Sequence, residues 1–119
     1  MAEKSDITGY HAHIYYSNPE ARERAAVLRE LIDDKFDIRM GRWRETPVGP
    51  HPQPMYQVAF EVDQFSDIVP WLMVNRNGLT ILVHPETTDN FADHVYNSVW
   101  FGEVLPVNED FLRSGQTSA

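Results

Sequence analysis

The 119-residue chain contains no cysteine. That absence excludes disulfides, thiolate metal ligands and a cysteine nucleophile, so any metal has to be held by nitrogen and oxygen. Basic residues are scarce too, with ten lysines and arginines against eighteen aspartates and glutamates and a formal charge of −8. A surface of that sign repels phosphate backbones and anionic membranes, which removes nucleic acid from the candidate partners. Long apolar runs are also missing: nowhere do about 18 uncharged apolar residues follow one another, and the opening MAEKSDITGY carries no signal-like core. A soluble, cytoplasmic protein with no membrane partner is expected. The six glycines build no phosphate loop, and neither a serine nucleophile elbow nor a Walker pattern occurs.

What remains is 42% hydrophobic content in a length suited to one core, together with five histidines and many carboxylates. Such a donor set suits zinc, Fe(II) or Mn(II), and ligand type alone does not choose among them. Neither a fixed-period repeat nor a low-complexity tract divides the chain, so 9–113 is expected as a single domain, with 1–8 and 114–119 flexible.

Residues 9–16, GYHAHIYY, are rich in β-branched and aromatic types and read as a first strand. Ser17 or Asn18 then offers a helix cap, Pro19 a first helical position, and Ala21, Ala25, Leu28, Leu31 and Ile32 a buried stripe. FDIRMGRW alternates as strand two, and MYQVAFEV as strand three. Between them ETPVGPHPQP, with four prolines and His51 in its middle, is a stiff loop. A second helix is expected from a cap near Ser66 to a stop at Asn77-Gly78, with Pro70 in about its first turn. LTILVHP reads as strand four. Thr88 or Asp89 caps a short third helix with Phe91, Val95 and Val99 as its apolar stripe. This order predicts an α+β, ferredoxin-like βαββαβ antiparallel sheet, strands 4-1-3-2, with a C-terminal helical extension. Both main helices would cover one face. The other face, carrying Tyr15, Ala59 and Leu82, would need a cover, and a homodimer is expected to supply it.

Alternation puts His11, His13 and Tyr15 of strand one on that second face, with Arg39, Gln57, Ala59, Glu61, Leu82 and His84 from its neighbours. Antiparallel order brings the start of strand one beside the ends of strands three and four, so His11, His13, His84 and Glu61 converge on one small volume. Imidazoles plus a carboxylate with open coordination positions form the arrangement that lets Fe(II) bind substrate and O2 together. The competing interpretation is a solvated or dimer-forming sheet face, with the histidines lining a pocket that does no chemistry. His51 would reach the cluster only if its loop folds back or a partner chain supplies it. His94, on the third helix, could approach His84 as a ligand or as a group that orients one. Arg39, Arg42 and Arg44 are candidate clamps for a substrate carboxylate, with Tyr15 and Gln57 as further substrate contacts.

Taken together, GYHAHIYY, GPHPQPMYQVAF, LTILVHPETTDNFADH and SVWFGEVLPVN resemble the DOPA 4,5-dioxygenase family, from about Tyr10 to Leu112. The resemblance implies extradiol ring cleavage of a catechol such as L-DOPA by O2 at a non-haem Fe(II), and its motif histidines are His11, His13, His51, His84 and His94. On that basis a catechol would chelate the metal, and a neutral histidine, His51 or His94, would act as general base and then acid. The alternatives are a dimeric small-molecule-binding module without catalysis and a zinc enzyme of other chemistry.

Overall fold

Asn18 decides where the first helix begins. Its extended backbone ends the preceding strand, and its side chain accepts the Ala21 amide hydrogen at 2.8 Å. Pro19, which has no amide hydrogen to leave unpaired, follows as the first helical residue. In the computed structural model, which describes residues 2–115, the helix α1 runs Pro19–Lys35 and buries Ala21, Ala25, Leu28 and Ile32. Leu31, expected in the same stripe, is 50% exposed. At 100° per residue it sits roughly 90° round the helix from the stripe centre, at the margin of the packed surface.

The strands are β1 (Gly9–Tyr15), β2 (Arg39–Met40), β3 (Met55–Phe60), β4 (Ile81–Glu86) and β5 (Val99–Phe101). They form one antiparallel sheet in the order β2-β3-β1-β4-β5. It is wider than the four strands expected. Val99, read from sequence as part of a helical stripe, instead belongs to β5, where Val99–Phe101 pairs with Ile81–Val83 and closes the free edge of β4. The third helix, α3 (Asn90–Val95), is correspondingly short. Asp89 caps it by accepting from the Ala92 amide, and the residues it buries are Asp93 and His94 rather than Phe91 and Val95.

The second helix, α2 (Phe65–Asn75), follows directly on a 3-10 turn at Val62–Gln64, so Ser66 is not its cap and Pro70 is its sixth residue. Asn77 and Gly78 stop it with φ of 57° and 75°, the left-handed turn their types accommodate. A fourth helix, α4 (Glu109–Arg113), ends the described chain, capped by the Asn108 side chain. Of the segments expected to be flexible, the first contains a 3-10 turn at Lys4–Asp6, and residues 1 and 116–119 lie outside the described residues.

Both α1 and α2 pack on one face of the sheet, against Ile14, Tyr56, Phe60 and Ile81. The Tyr56 hydroxyl donates to the Ala25 carbonyl at 2.8 Å, so its polar end is satisfied in the core. The opposite face is not bare. Tyr15, Met55, Leu82 and Leu105 form a second buried cluster, overlaid by Val48, Trp100 and Val107. The Asn108 amide donates to the Pro50 carbonyl at 2.8 Å and ties the proline loop to the C-terminal segment above this face. Because the chain covers the face itself, an uncovered sheet gives no reason for a second copy.

Burial separates two neighbouring leucines of α1. Leu28→Ala should lower the unfolding free energy by about 2–5 kcal/mol, while Leu31→Ala should change it by no more than about 0.5 kcal/mol. Urea denaturation of the two variants measures the difference, and equal losses would contradict the helix orientation.

Candidate functional site

The second face is polar at its centre. On β1, His11 and His13 point to the same side, and the register sets His11 between Ala59 and His84 and His13 between Gln57 and Leu82. His84 follows the same alternation on β4. Two further histidines arrive from outside the sheet. The proline loop folds back from the far end of β1, turning through a His51 amide to Val48 carbonyl bond, and lays the His51 ring 4.1 Å from that of His13. Helix α3 places the His94 ring 3.9 Å from that of His84. His13, His51, His84 and His94 are each at most 2% exposed, and the side chain of His11, at 19%, is the one that reaches the surface.

Backbone carbonyls orient two of these rings. His84 Nδ1 lies 2.9 Å from the Pro85 oxygen and His94 Nδ1 2.9 Å from the Asn90 oxygen. A carbonyl can only accept, so each Nδ1 carries the hydrogen and each neutral ring turns the lone pair of Nε2 away from the carbonyl. His84 Nε2 is 3.0 Å from His13 Nε2. With no ion between them, His13 must donate that bond. A shared ion would be met by both lone pairs, and two nitrogens about 2.1 Å from one ion at roughly 90° stand about 3.0 Å apart. His51 Nδ1 is 2.8 Å from the Tyr15 hydroxyl, whose own ionisation burial pushes far upward.

Burial also sets the charge. Desolvation, reinforced by repulsion from neighbouring imidazoles, holds His11 down at about 4 and His51 at about 3 and lowers His13 and His84 as well, while burial lowers His94 against the opposing pull of the Asn90 carbonyl and Asp93. At neutral pH all five are uncharged and have lone pairs to give. Among the described residues, buried side-chain polar atoms without a hydrogen-bond partner concentrate here: His11 Nδ1, His13 Nδ1, His51 Nε2, His94 Nε2 and Gln57 Oε1. An unpaired buried polar atom costs about 1–3 kcal/mol, so the cluster gains from any bound partner that satisfies these atoms. Two groups, His11 with His13 and His84, and His13 with His51 and His94, each bring their ligand atoms within 4.8 Å of one another and could hold a metal ion. An all-imidazole donor set suits iron, zinc or copper better than calcium or magnesium.

The model of the Dopa 4,5-dioxygenase family matches residues 10–111, which include all five histidines. The chain belongs to this family. It is 35% identical to the DOPA 4,5-dioxygenase of Amanita muscaria over 112 residues, and 38% identical to an uncharacterised 21.2 kDa protein of Botryotinia fuckeliana over 121 residues. Those alignments take in 87% and 92% of this chain but only 49% and 66% of the two relatives, so the chain spans about half to two thirds of their length. A crystal structure from Nostoc punctiforme, described as a "putative dioxygenase", superposes with a TM-score of 0.93 at 47% identity, covering 98% of this chain and all of that one.

This family member brings together His11, His13, His51, His84 and His94, all anticipated from sequence, and leaves out Glu61. Strand β3 stops at Phe60, and Glu61 leads into the following 3-10 turn. Its carboxylate, 62% exposed, pairs with Arg39 at 2.8 Å. Arg39 is itself 67% exposed on the two-residue edge strand, close enough to depress His11 electrostatically but turned to Glu61 rather than into the cluster. Tyr15 is buried against His51 and presents no free surface to a ligand, whereas Gln57 stays beside His13 with its oxygen unpartnered. Two acidic residues were missed. Asp93 accepts from the Thr87 amide and hydroxyl and anchors the turn before α3. Glu86 lies behind His11 and His84. The spacing His84-Pro85-Glu86 held its signal, because residues i and i+2 of a strand share a face.

Acid should destabilise the metal-free protein. Histidines held below their usual value in the folded state take up protons on unfolding, so the unfolded state gains as pH falls below about 6.5, and stability drops by about 1.4 kcal/mol per pH unit for each such histidine. The loss runs on toward pH 4 for His11 and pH 3 for His51. Urea titrations in chelator at pH 8, 6.5, 5.8 and 5 should show a plateau and then a steep decline. Constant stability between 6.5 and 5 would contradict burial of neutral imidazoles.

Proposed function

We propose that this protein is an extradiol ring-cleaving dioxygenase of catechols, working on a ferredoxin-like sheet with a non-haem Fe(II) held by His11, His13 and His84. The observation that carries the reading is the convergence of five neutral imidazoles on one sheet face, four of them buried and four with an orphaned nitrogen. Membership of the Dopa 4,5-dioxygenase family and the DOPA 4,5-dioxygenase relative in Amanita muscaria point to the substrate class. Zinc bound in the purified protein would occupy the same nitrogens.

When bound, Fe(II) supplies the Lewis acidity and electron transfer that make a catechol and O2 reactive toward each other. The chain supplies the rest. His51, hydrogen-bonded to Tyr15 through Nδ1, holds a proton at Nε2 in one tautomer and presents a lone pair there in the other. With its hydrogen at Nδ1, donated to the Tyr15 oxygen, the ring is a base at Nε2, and once it has taken a proton there it is the acid that can return it. A catechol hydroxyl would lose its proton to His51 Nε2, and the ring-opened product would take one back from it. His94 Nε2, fixed inward by the Asn90 carbonyl, is a second base in reach of His84. Gln57 Oε1 is a buried acceptor for a substrate hydroxyl. The covering loop and C-terminal segment keep bulk water from the cluster, which strengthens each of these interactions.

Protein loaded anaerobically with Fe(II) should consume O2 with L-DOPA or a simpler catechol and release a yellow semialdehyde product. His13→Ala or His84→Ala should abolish both metal binding and turnover, and His51→Gln should lower kcat by roughly 100-fold or more with metal still bound. An iron-loaded protein that takes up no O2 across a catechol panel would refute the assignment.

A further inference from the structure

Glu86 ends β4 on the same face as His84, two residues on. Its backbone is pinned, because its carbonyl accepts from both the Thr8 amide at 2.9 Å and the Thr8 hydroxyl at 3.1 Å. One carboxylate oxygen then lies 3.2 Å from His11 Nδ1 and 3.5 Å from His84 Nδ1. Both approaches are to the same side of the rings. His84 already donates Nδ1–H to Pro85 and turns Nε2 toward His13, so Glu86 stands behind the ring, opposite the nitrogen that faces the cluster. His11 differs: its Nδ1 has no carbonyl, and the carboxylate beside it is not aligned for a full hydrogen bond. Of the five rings, His11 is the most exposed and has no backbone group to fix which nitrogen carries its hydrogen.

We propose that Glu86 is the positioning residue of this site: its carboxylate draws the hydrogen of His11 to Nδ1, which leaves the lone pair of Nε2 free to ligate, and it places a negative charge behind two of the rings that would hold a cation. The inference rests on the ligand assignment above. Carboxylates in this position orient ligating imidazoles and raise their basicity, and their loss typically weakens metal binding by roughly 10–100-fold. Glu86 does not itself ligate, because it sits on the Nδ1 side of His84 while His84 Nε2 faces His13.

Three variants test this, with Zn(II) affinity measured by competition with a chromophoric chelator, Co(II) absorption, and 15N NMR of the metal-free protein. In the native chain His11 should be the Nδ1–H tautomer. Glu86→Ala should weaken Zn(II) binding by roughly 10–100-fold, leave the intensity and position of the Co(II) bands unchanged, and convert His11 to a tautomer mixture. Glu86→Gln, which keeps an acceptor oxygen, should restore the tautomer and part of the affinity. Glu61→Gln should change none of these. Unchanged affinity and tautomer in Glu86→Ala would overturn the proposal, and so would a Co(II) spectrum altered by Glu86→Gln, which would make Glu86 a ligand. Should the native chain bind no divalent metal, the ligand assignment fails, and an unaltered His11 tautomer in Glu86→Ala would separately refute the positioning role.

Discussion

The central strand β1 is buried on both sides, and everything else accommodates that. Ala12 and Ile14 have no exposed surface in the helix-covered core, while His13 and Tyr15, on the alternate positions, are buried just as deeply beneath the proline loop and the C-terminal segment. A sheet face of this kind normally faces water or packs on apolar groups. Here it carries imidazoles, whose polar nitrogens lose their hydration and have to be satisfied from inside the protein. The carbonyls of Pro85 and Asn90 and the Tyr15 hydroxyl satisfy some of them, and the rest converge unpaired.

That cost explains the cover. Residues 45–54 carry too many prolines to form a strand or helix, and this stiffness lets the loop hold His51 over His13 without a hydrogen-bonded ladder of its own. At its start, Glu45 is gripped by both oxygens on Arg22 and by the Tyr16 hydroxyl, and Arg22 stacks 4.0 Å over Trp43. Further on, Pro50 meets Asn108. Helix α3 reverses the usual pattern by turning Asp93 and His94 inward while Tyr96, just past its end, is 74% exposed. Such an inversion is worth its desolvation only if the inward groups have work to do.

A family shared with longer relatives fits this economy. The match runs over nearly the whole chain, yet covers 49% of the Amanita muscaria protein and 66% of the Botryotinia fuckeliana protein. The five histidines, their loop and their helix all lie within the matched residues 10–111.

Local chemistry made much of this legible in the sequence. The Asn18 cap, the Asn77-Gly78 stop and the strict alternation of β1 depend on residues a few positions apart, and alternation alone put His11, His13 and His84 on one face. Glu61 showed the limit. Alternation carried it into the site, but β3 ends at Phe60, two residues short of the alternating run, and so small a difference at a strand terminus is invisible to periodicity. Whether Val99 continues a helix or closes a sheet edge depends on the free edge of β4, a long-range partner that a local pattern does not contain. The same holds for the fold-back of His51, the inward turn of His94 and the place of Glu86 behind two rings. Sequence alone determined which side chains share a strand face, because backbone geometry fixes that residue by residue. Tertiary structure decided which of them meet across the sheet, because loop path and helix packing are settled by contacts between segments far apart in the chain.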